Sequence, residues 1–203
     1  MNRGRFVVFE GGEGTGKSTQ ARILADRWGA LATREPGGTS LGAELRRVLL
    51  DPATGAIDLA AEALLMAADR AQHVSELIEP ALAAGRDVVC DRYIGSSVAY
   101  QGYGRGLEPD FVARLSEWAT SALAPDLVVL LTVPAEVARA RLGPDLDRFE
   151  QAGQDFHRRV HDGFLIQADA DPQRWVVVDG GGSVDDVDER VAELVDARFG
   201  PTV

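Results

Sequence analysis

Residues 6–18 read FVVFEGGEGTGKS, an apolar run that leads directly into a glycine-rich loop ending in Lys17 and Ser18. The loop, Gly11–Ser18, matches G-x-x-x-x-G-K-[ST] at every fixed position, and an amphipathic segment follows it. Glycines let such a loop wrap so that its N–H groups converge on phosphate oxygens, and the start of the next helix adds positive potential. The sequence therefore predicts a nucleotide phosphate site between a buried strand and a helix. A glycine-rich turn without a ligand is the alternative.

The phosphate loop and the first turn of its helix form the predicted ATP-binding set: Gly11, Gly12, Glu13, Gly14, Thr15, Gly16, Lys17, Ser18 and Thr19. Lys17 would bridge the β- and γ-phosphates, and the Ser18 hydroxyl would coordinate Mg²⁺. A second apolar run, Asp87–Asp91, ends in a carboxylate, which is the Walker B pattern. Asp91 can hold Mg²⁺ through water or steady Lys17, and Arg92 can reach the transferring phosphoryl group. The alternative for Asp91 is a plain turn or helix cap.

Apolar runs alternate with helical patterns along the chain. The strand candidates are mostly apolar on both faces, as buried parallel strands are: Phe6–Glu10, Ala30–Arg34, Asp87–Asp91, Leu127–Val133 and Trp175–Asp179. Helices are predicted over Lys17–Trp28, from Leu59 to about Ala84, and after Ser183, which is a plausible cap. We expect one α/β domain over residues 1–203, with a parallel sheet covered on both faces.

Composition narrows the class of partner. A net charge of −11 weighs against a nucleic-acid polymer, because such binding relies on basic surface. Anionic nucleotides would then require basic side chains and backbone N–H groups gathered locally. No apolar run reaches the ~18 residues of a membrane helix, and no signal peptide is predicted. The single cysteine, Cys90, lies in a buried strand pattern, so we expect a reduced, cytoplasmic setting.

Other segments distinguish between the classes of protein that carry such a phosphate loop. A GTPase would need an Asn-Lys-x-Asp motif, and the only asparagine is Asn2. Over nearly its whole length the chain instead resembles the thymidylate kinase family, by five blocks in order: FEGGEGTGKST at 9–19, TREPGGT at 33–39, DRY at 91–93, SSVAYQG at 96–102 and DRFE at 147–150. Each block is moderately specific, and the five together are highly specific.

The resemblance implies a P-loop three-layer α/β fold with a five-stranded parallel sheet and helices on both faces. It also implies direct in-line transfer of the terminal phosphoryl group of ATP to dTMP, with Mg²⁺ and without a phosphoenzyme, by a homodimer. Two alternatives stay open, a kinase for another monophosphate such as UMP or CMP and a non-catalytic nucleotide-binding switch. Arg92 and further arginines speak against the switch, since binding alone does not need charge at the transferring group.

The resemblance also assigns the acceptor side. Its dTMP-binding set is Glu13, Arg34, Met66, Arg70, Arg92, Ser97, Tyr100 and Gln101. Glu13 would lie near the sugar 3′-hydroxyl, Arg34 near the phosphate and Arg70 near the thymine carbonyls. Arg46 is a weaker phosphate candidate. For Arg46 and Arg70 the alternative is a solvent-facing helix charge.

Three further assignments concern the base and sugar. Ser97 would meet the thymine edge, and Tyr100 would pack on C2′, leaving no room for a ribose 2′-hydroxyl. The alternative for Tyr100 is an ordinary core residue. Met66 stands where the family usually has a phenylalanine that stacks on thymine, and here the alternative is helix core.

A mobile lid is expected at about residues 139–150. It carries Arg139, Arg141 and Arg148 around the flexible Gly143–Asp145 turn. The phosphate loop lacks arginine, so the resemblance implies that Arg141 and Arg148 supply catalytic charge, as arginines on a closing lid can. A surface pair of Arg148 with Asp145 or Glu150 is the alternative.

Overall fold

The computed structural model describes residues 3–200, and within them a parallel sheet of five strands organises the chain. The strands are β1 (Phe6–Glu10), β2 (Leu31–Arg34), β3 (Val88–Asp91), β4 (Leu127–Thr132) and β5 (Trp175–Asp179). Their order is β2-β3-β1-β4-β5, and every pairing is parallel. The predicted α/β fold is confirmed, and the five predicted strands occur with ends that differ by no more than one residue.

Helices follow the strands. They are α1 (Lys17–Trp28), α2 (Ser40–Leu50), α3 (Leu59–His73), α4 (Glu79–Ala83), α5 (Ile94–Ser97), α6 (Pro109–Ala119), α7 (Ala135–Arg141), α8 (Gln154–Ala170) and α9 (Val184–Phe199). The α9 helix begins with Ser183 in a capping box, which confirms the predicted cap. In residues 3–200 no helix is long and apolar enough to cross a membrane.

Side chains of β1 alternate between two cores, because successive residues of a strand point to opposite faces. Val7 and Phe9 pack with α1 and α9, whereas Phe6 and Val8 pack with the helical segment that includes Ile78 and Leu82. A third cluster joins the same side of the sheet to α8. Helices therefore cover both faces, and Cys90 is buried in the second core as expected.

Two π-helical segments interrupt the helices. Val74–Ile78 joins α3 to α4, so the predicted helix from Leu59 to about Ala84 is present as one continuous path. Val98–Gly104 extends α5 and carries Tyr100 and Gln101. Such π segments are rare and occur often at functional sites. Neither was visible in the sequence pattern.

The strand order places β1 next to β3, with β4 on its other side. Chain connections therefore diverge at the carboxyl ends of the central strands, where open α/β sheets bind their ligands. The phosphate loop follows β1, the Glu35–Pro36 turn follows β2, and Arg92 follows β3. Phe9 is opposite Asp91 in the β1–β3 register, so these loops meet at one edge.

Candidate active site

The phosphate loop is shaped by glycines that no other residue could replace. Gly11 and Gly14 have φ of 139° and 70°, in the region that favours glycine. A Cβ would come within 2.3 Å of Leu131 O at Gly11 and within 2.3 Å of Ala138 O at Gly14. The loop therefore packs closely against β4 and α7, and its last two residues, Lys17 and Ser18, begin α1.

Lys17, the only lysine of the chain, begins α1 and is 5% exposed. Its Nζ donates to the carbonyl of Gly12 at 2.7 Å, inside the loop. Burial, with the nearby Arg92 guanidinium adding to it, lowers the pKa of Lys17. The ammonium group is thus held within the loop by a single backbone acceptor.

Ser18 and Asp91 form a small oxygen site beside the loop. The Ser18 hydroxyl donates to Asp91 Oδ2, while the buried Asp91 Oδ1 has no partner within residues 3–200. The same residues contain no cluster of three or more His, Cys, Asp or Glu that could enclose a metal ion. One hydroxyl and one carboxylate, whose second oxygen is unpartnered, fit Mg²⁺, which takes few protein ligands when phosphates supply the others.

Arg92 joins the phosphate loop to the neighbouring pocket. Its Nη2 lies 2.5 Å from Glu13 Oε1 and 3.2 Å from Tyr100 Oη, and its Nη1 donates to Gly11 O at 2.9 Å. Arg92 has φ of 73°, a conformation that costs a non-glycine residue about 1–3 kcal/mol and clusters at functional sites.

Glu10 and Glu13 lie at the carboxyl end of β1, and their pKa values are shifted in opposite directions. Burial alone would raise the pKa of Glu13, but Arg92 and then Lys17 outweigh it and lower that pKa to about 2. Burial raises the pKa of Glu10 to about 7 despite hydrogen bonds from Ser96. Glu10 Oε1 accepts from the backbone N–H groups of Tyr93 and Ser96, which fixes the loop that presents Arg92.

One pocket collects most of the predicted side chains beside the phosphate loop. Its lining includes Glu13, Lys17, Ser18, Arg34, Met66, Arg70, Asp91, Arg92, Ser97, Tyr100 and Gln101. Arg46 also lines it and donates to Pro36 O at 2.9 Å. Burial and the adjacent Arg34 lower the pKa of Arg46. A chain of net charge −11 thus concentrates cations at this edge, as binding of anionic nucleotides requires.

Arg70 belongs to a buried network on one wall of the pocket. Its Nε donates to Glu35 Oε2 at 2.7 Å, and its two Nη atoms donate to Ser116 Oγ and Tyr93 O. His73 Nδ1 is 2.9 Å from Glu35 Oε1 and donates to it, because a carboxylate only accepts. Arg70 is 2% exposed, so the alternative of a solvent-facing charge is wrong.

Ser97, Gln101 and Tyr100 also line the pocket. Ser97 Oγ is buried and makes no hydrogen bond to the described residues. Gln101 donates from Nε2 to Glu62 Oε1 at 3.0 Å. Tyr100 also packs its ring edge-on against Phe149, Phe156 and Phe164, so it is both a core residue and a pocket residue.

The two predicted lid arginines occupy different places. Arg141, at the end of α7, donates to Gly180 O at 3.1 Å and to Gly14 O at 3.4 Å, next to the phosphate loop. Arg148 Nη2 lies 2.5 Å from Glu62 Oε2, a contact that is ionic without good hydrogen-bond direction. Its Nε donates to Leu49 O at 2.7 Å. The alternative of a surface pair for Arg148 is wrong, and neither arginine lines the pocket.

Several residues of the site escaped sequence reasoning. Glu35 and His73 pair with residues far along the chain, which no local pattern reveals. Glu62 had a readable signal, because Glu62, Met66 and Arg70 follow at i, i+4 and i+8 and share one face of α3. Phe149 was noted only as part of a motif, yet it lines the pocket.

A strand–loop–helix phosphate site, a hydroxyl–carboxylate pair and an adjoining cationic pocket define a P-loop nucleotide-binding protein of the kinase type. The family model described as thymidylate kinase matches residues 9–191. A thymidylate kinase of Cutibacterium acnes is 48% identical over 198 residues, covering 95% of this chain and 96% of the relative. One from Synechococcus sp. is also 48% identical, with 96% of each chain covered.

A solved structure agrees with these relatives. The crystal structure of thymidylate kinase from Ehrlichia chaffeensis superposes with a TM-score of 0.79 at 30% identity, covering 96% of this chain and 99% of that one. The chain belongs to the thymidylate kinase family.

Proposed function

We propose that the protein transfers the terminal phosphoryl group of ATP to dTMP, forming ADP and dTDP by direct in-line displacement with Mg²⁺. Family membership supports the reaction class and the acceptor. The observation that carries the proposal is the position of Arg92, which contacts Glu13 of the phosphate loop and Tyr100 of the pocket. A side chain that touches both compartments can neutralise charge that moves between them.

The donor side would bind ATP through the loop residues Gly11–Thr19. Phosphoryl transfer requires positioning and charge neutralisation more than covalent chemistry. Lys17 would leave Gly12 O and follow the β- and γ-phosphates. Ser18 and Asp91 would hold Mg²⁺, which neutralises charge on the phosphate oxygens when it is bound.

The acceptor side would bind dTMP in the adjoining pocket. Arg34 and Arg46 are the phosphate candidates, since both line the pocket and Arg34 has no hydrogen bond or ion pair elsewhere in residues 3–200. Arg70 would donate to a thymine carbonyl with N–H groups that Glu35, Ser116 and Tyr93 leave free, since a guanidinium has five.

The remaining acceptor residues would set the sugar and the base. Glu13 would accept from the 3′-hydroxyl, and the Tyr100 ring would exclude a 2′-hydroxyl by contact with C2′. Ser97 and Gln101 would meet the base edge. Met66 would cover one part of the thymine ring, and Phe149 offers a second apolar surface in the same pocket.

The lid would consist of residues 139–150 within a single domain. Arg141 would stabilise charge during transfer from its place beside Gly14, and Arg148 would do so after release from Glu62. Arg139 is a weaker candidate. Movement of this segment would exclude water, which strengthens every charge interaction in the site.

A homodimer is the proposed assembly. Exposed apolar side chains occur on α3 and α6, where Leu64 is 57%, Phe111 49% and Trp118 81% exposed. The two helices pack against each other, so these residues belong to one side of the molecule. A second copy would cover them. The single cysteine favours a cytoplasmic location.

An ADP-release assay with a panel of monophosphates tests the proposal. With ATP and Mg²⁺ we expect dTMP to give the highest kcat/KM, above dUMP, UMP, dCMP and CMP, and we expect a chelator to stop turnover. A preference for UMP or CMP would show that the protein is a kinase for another nucleoside monophosphate. Nucleotide binding without ADP release would indicate a switch.

A further inference from the structure

We propose that Glu62 determines which pyrimidine the pocket accepts, by fixing the orientation of the Gln101 amide. Glu62 does not line the pocket; it lies behind Gln101 and acts through it. The inference rests on the proposed function, because it concerns the base of the acceptor nucleotide. It adds a positioning residue and a reason for discrimination against cytosine.

Glu62 is a fully buried carboxylate surrounded by donors. Its side chain is 0% exposed, and Arg105 and Arg148 both contact its oxygens. Arg105 Nε donates at 3.2 Å, and Arg148 Nη2 lies at 2.5 Å. Arg105 still contacts this carboxyl group when Arg148 is released as proposed for the lid, and Glu62 Oε1 accepts the hydrogen bond from Gln101.

This environment permits one orientation of the Gln101 amide. Nε2 donates to Glu62 Oε1 at 3.0 Å, whereas rotation by half a turn would set two acceptor oxygens against each other. The carbonyl oxygen of Gln101 is therefore directed away from Glu62. No residue of 3–200 donates a hydrogen bond to it, and Gln101 is one of the pocket-lining residues.

A hydrogen-bond acceptor such as Gln101 Oε1 distinguishes pyrimidine bases by whether N3 carries a proton. Thymine and uracil carry an N3–H donor, whereas neutral cytosine has a bare acceptor there. A buried acceptor that faces another acceptor loses its hydrogen bond, and sites built on such bonds discriminate strongly. Ser97 Oγ can donate or accept, so it does not discriminate. Arg70, which only donates, favours a carbonyl at C4 independently of Glu62.

The test compares dUMP with dCMP, which differ at C4 and in the proton on N3 and share hydrogen at C5. Competition titrations would give the dissociation constant of each for the wild-type protein and Glu62→Gln. The new amide can donate or accept, so Gln101 is free to rotate. We expect the dCMP-to-dUMP ratio of dissociation constants to fall about tenfold, or 1.4 kcal/mol, with no change in ATP affinity.

A second variant separates this role from a purely structural one. Gln101→Met leaves Glu62 and its two arginines in place, and we expect a similar fall in the ratio. Glu62→Gln added to Gln101→Met should cause no further fall. An equal loss of affinity for dUMP and dCMP in Glu62→Gln, or a wild-type ratio in Gln101→Met, would overturn the proposal.

Failure of the proposed function has a different signature. Absence of dTDP from wild-type protein given ATP, Mg²⁺ and dTMP would overturn that function alone. The competition titrations need no turnover, so the dUMP and dCMP ratios would still decide the role of Glu62.

Discussion

The phosphate half and the base half of the site hold their charges in different ways. On the phosphate side Lys17 has one backbone acceptor, and Arg34 has no hydrogen bond or ion pair within residues 3–200. On the base side Arg70 has three hydrogen bonds, and Glu62 is enclosed by Gln101 and two arginines. One half keeps its cations free to change partners, and the other is paired before any ligand arrives.

This difference suits two separate tasks. Charge migrates during phosphoryl transfer, so groups that can follow the phosphates stabilise the transition state. Base recognition needs fixed donors and acceptors, because an ordered site loses less entropy on binding. Changes on the phosphate side should therefore lower kcat, whereas changes on the base side should raise KM for dTMP or alter selectivity.

The largest expected effect is that of Lys17→Ala. Loss of the ammonium group should reduce kcat by about 100- to 1000-fold, as for other preorganised charges at a transferring group. The melting temperature should stay the same, because the Lys17 side chain makes a single hydrogen bond within residues 3–200. Steady-state kinetics would measure it, with the exposed Arg47→Ala as a matched loss of charge. A kcat within threefold of wild type would contradict the assignment.

Glu10, which fixes the loop that presents Arg92, should make the free energy of unfolding depend on pH. The pKa of Glu10 is about 7 in the folded protein and 4.5 in an ordinary carboxyl group, because of burial. As pH rises from 4.5 to 7 the unfolded chain releases this proton first, so the free energy of unfolding falls, by about 3 kcal/mol. Below pH 4.5 both states keep the proton and the contribution is complete.

Glu10→Gln checks this sign, since an amide does not titrate there. Denaturant unfolding of both proteins at pH 4.5 and 7.5 should show wild type losing stability relative to the variant at the higher pH. Parallel pH curves for the two proteins would show that Glu10 has an ordinary pKa.

The next expected effects distinguish the two lid arginines, Arg141 and Arg148. Arg141→Ala removes a charge beside Gly14, so we expect kcat to fall about 10- to 100-fold with little change in KM for dTMP. Arg148→Ala should also lower kcat more than it raises KM. Because it removes a partner of buried Glu62, it should in addition destabilise the fold by about 2 kcal/mol. Wild-type kcat in both variants would mean that the catalytic charge comes from elsewhere.

Met66→Ala is the smallest of these effects and lies on the base side. We expect KM for dTMP to rise about three- to tenfold, as loss of a sulfur–ring contact allows, with little change in KM for ATP. Met66→Phe should lower KM for dTMP by up to about tenfold, because base stacking is stronger. An unchanged KM for dTMP in Met66→Ala would leave Phe149 as the residue that covers the base.

More of the phosphate half than of the base half could be predicted from the sequence. The loop, the strand ends and the residues that follow them were readable, because glycine spacing and apolar runs are local signals. The partners of Arg70 and Arg148 were not, since Glu35 and Glu62 come from distant segments that only folding brings near. The π-helical turn that carries Tyr100 and Gln101 has no sequence signature, so the orientation of the Gln101 amide could not be foreseen.

Selective isotope labelling tests the division of tasks most directly. The chain has one lysine and two methionines, so labelled lysine and methionine methyl groups give separate reporters for Lys17 and, by comparison with Met66→Leu, for Met66. A non-hydrolysable ATP analogue with Mg²⁺ should shift the Lys17 ε signal and barely affect the Met66 methyl signal. Addition of dTMP alone should shift the Met66 signal through the ring current of the base. A Met66 signal that ignores dTMP, or that responds mainly to the ATP analogue, would contradict the account.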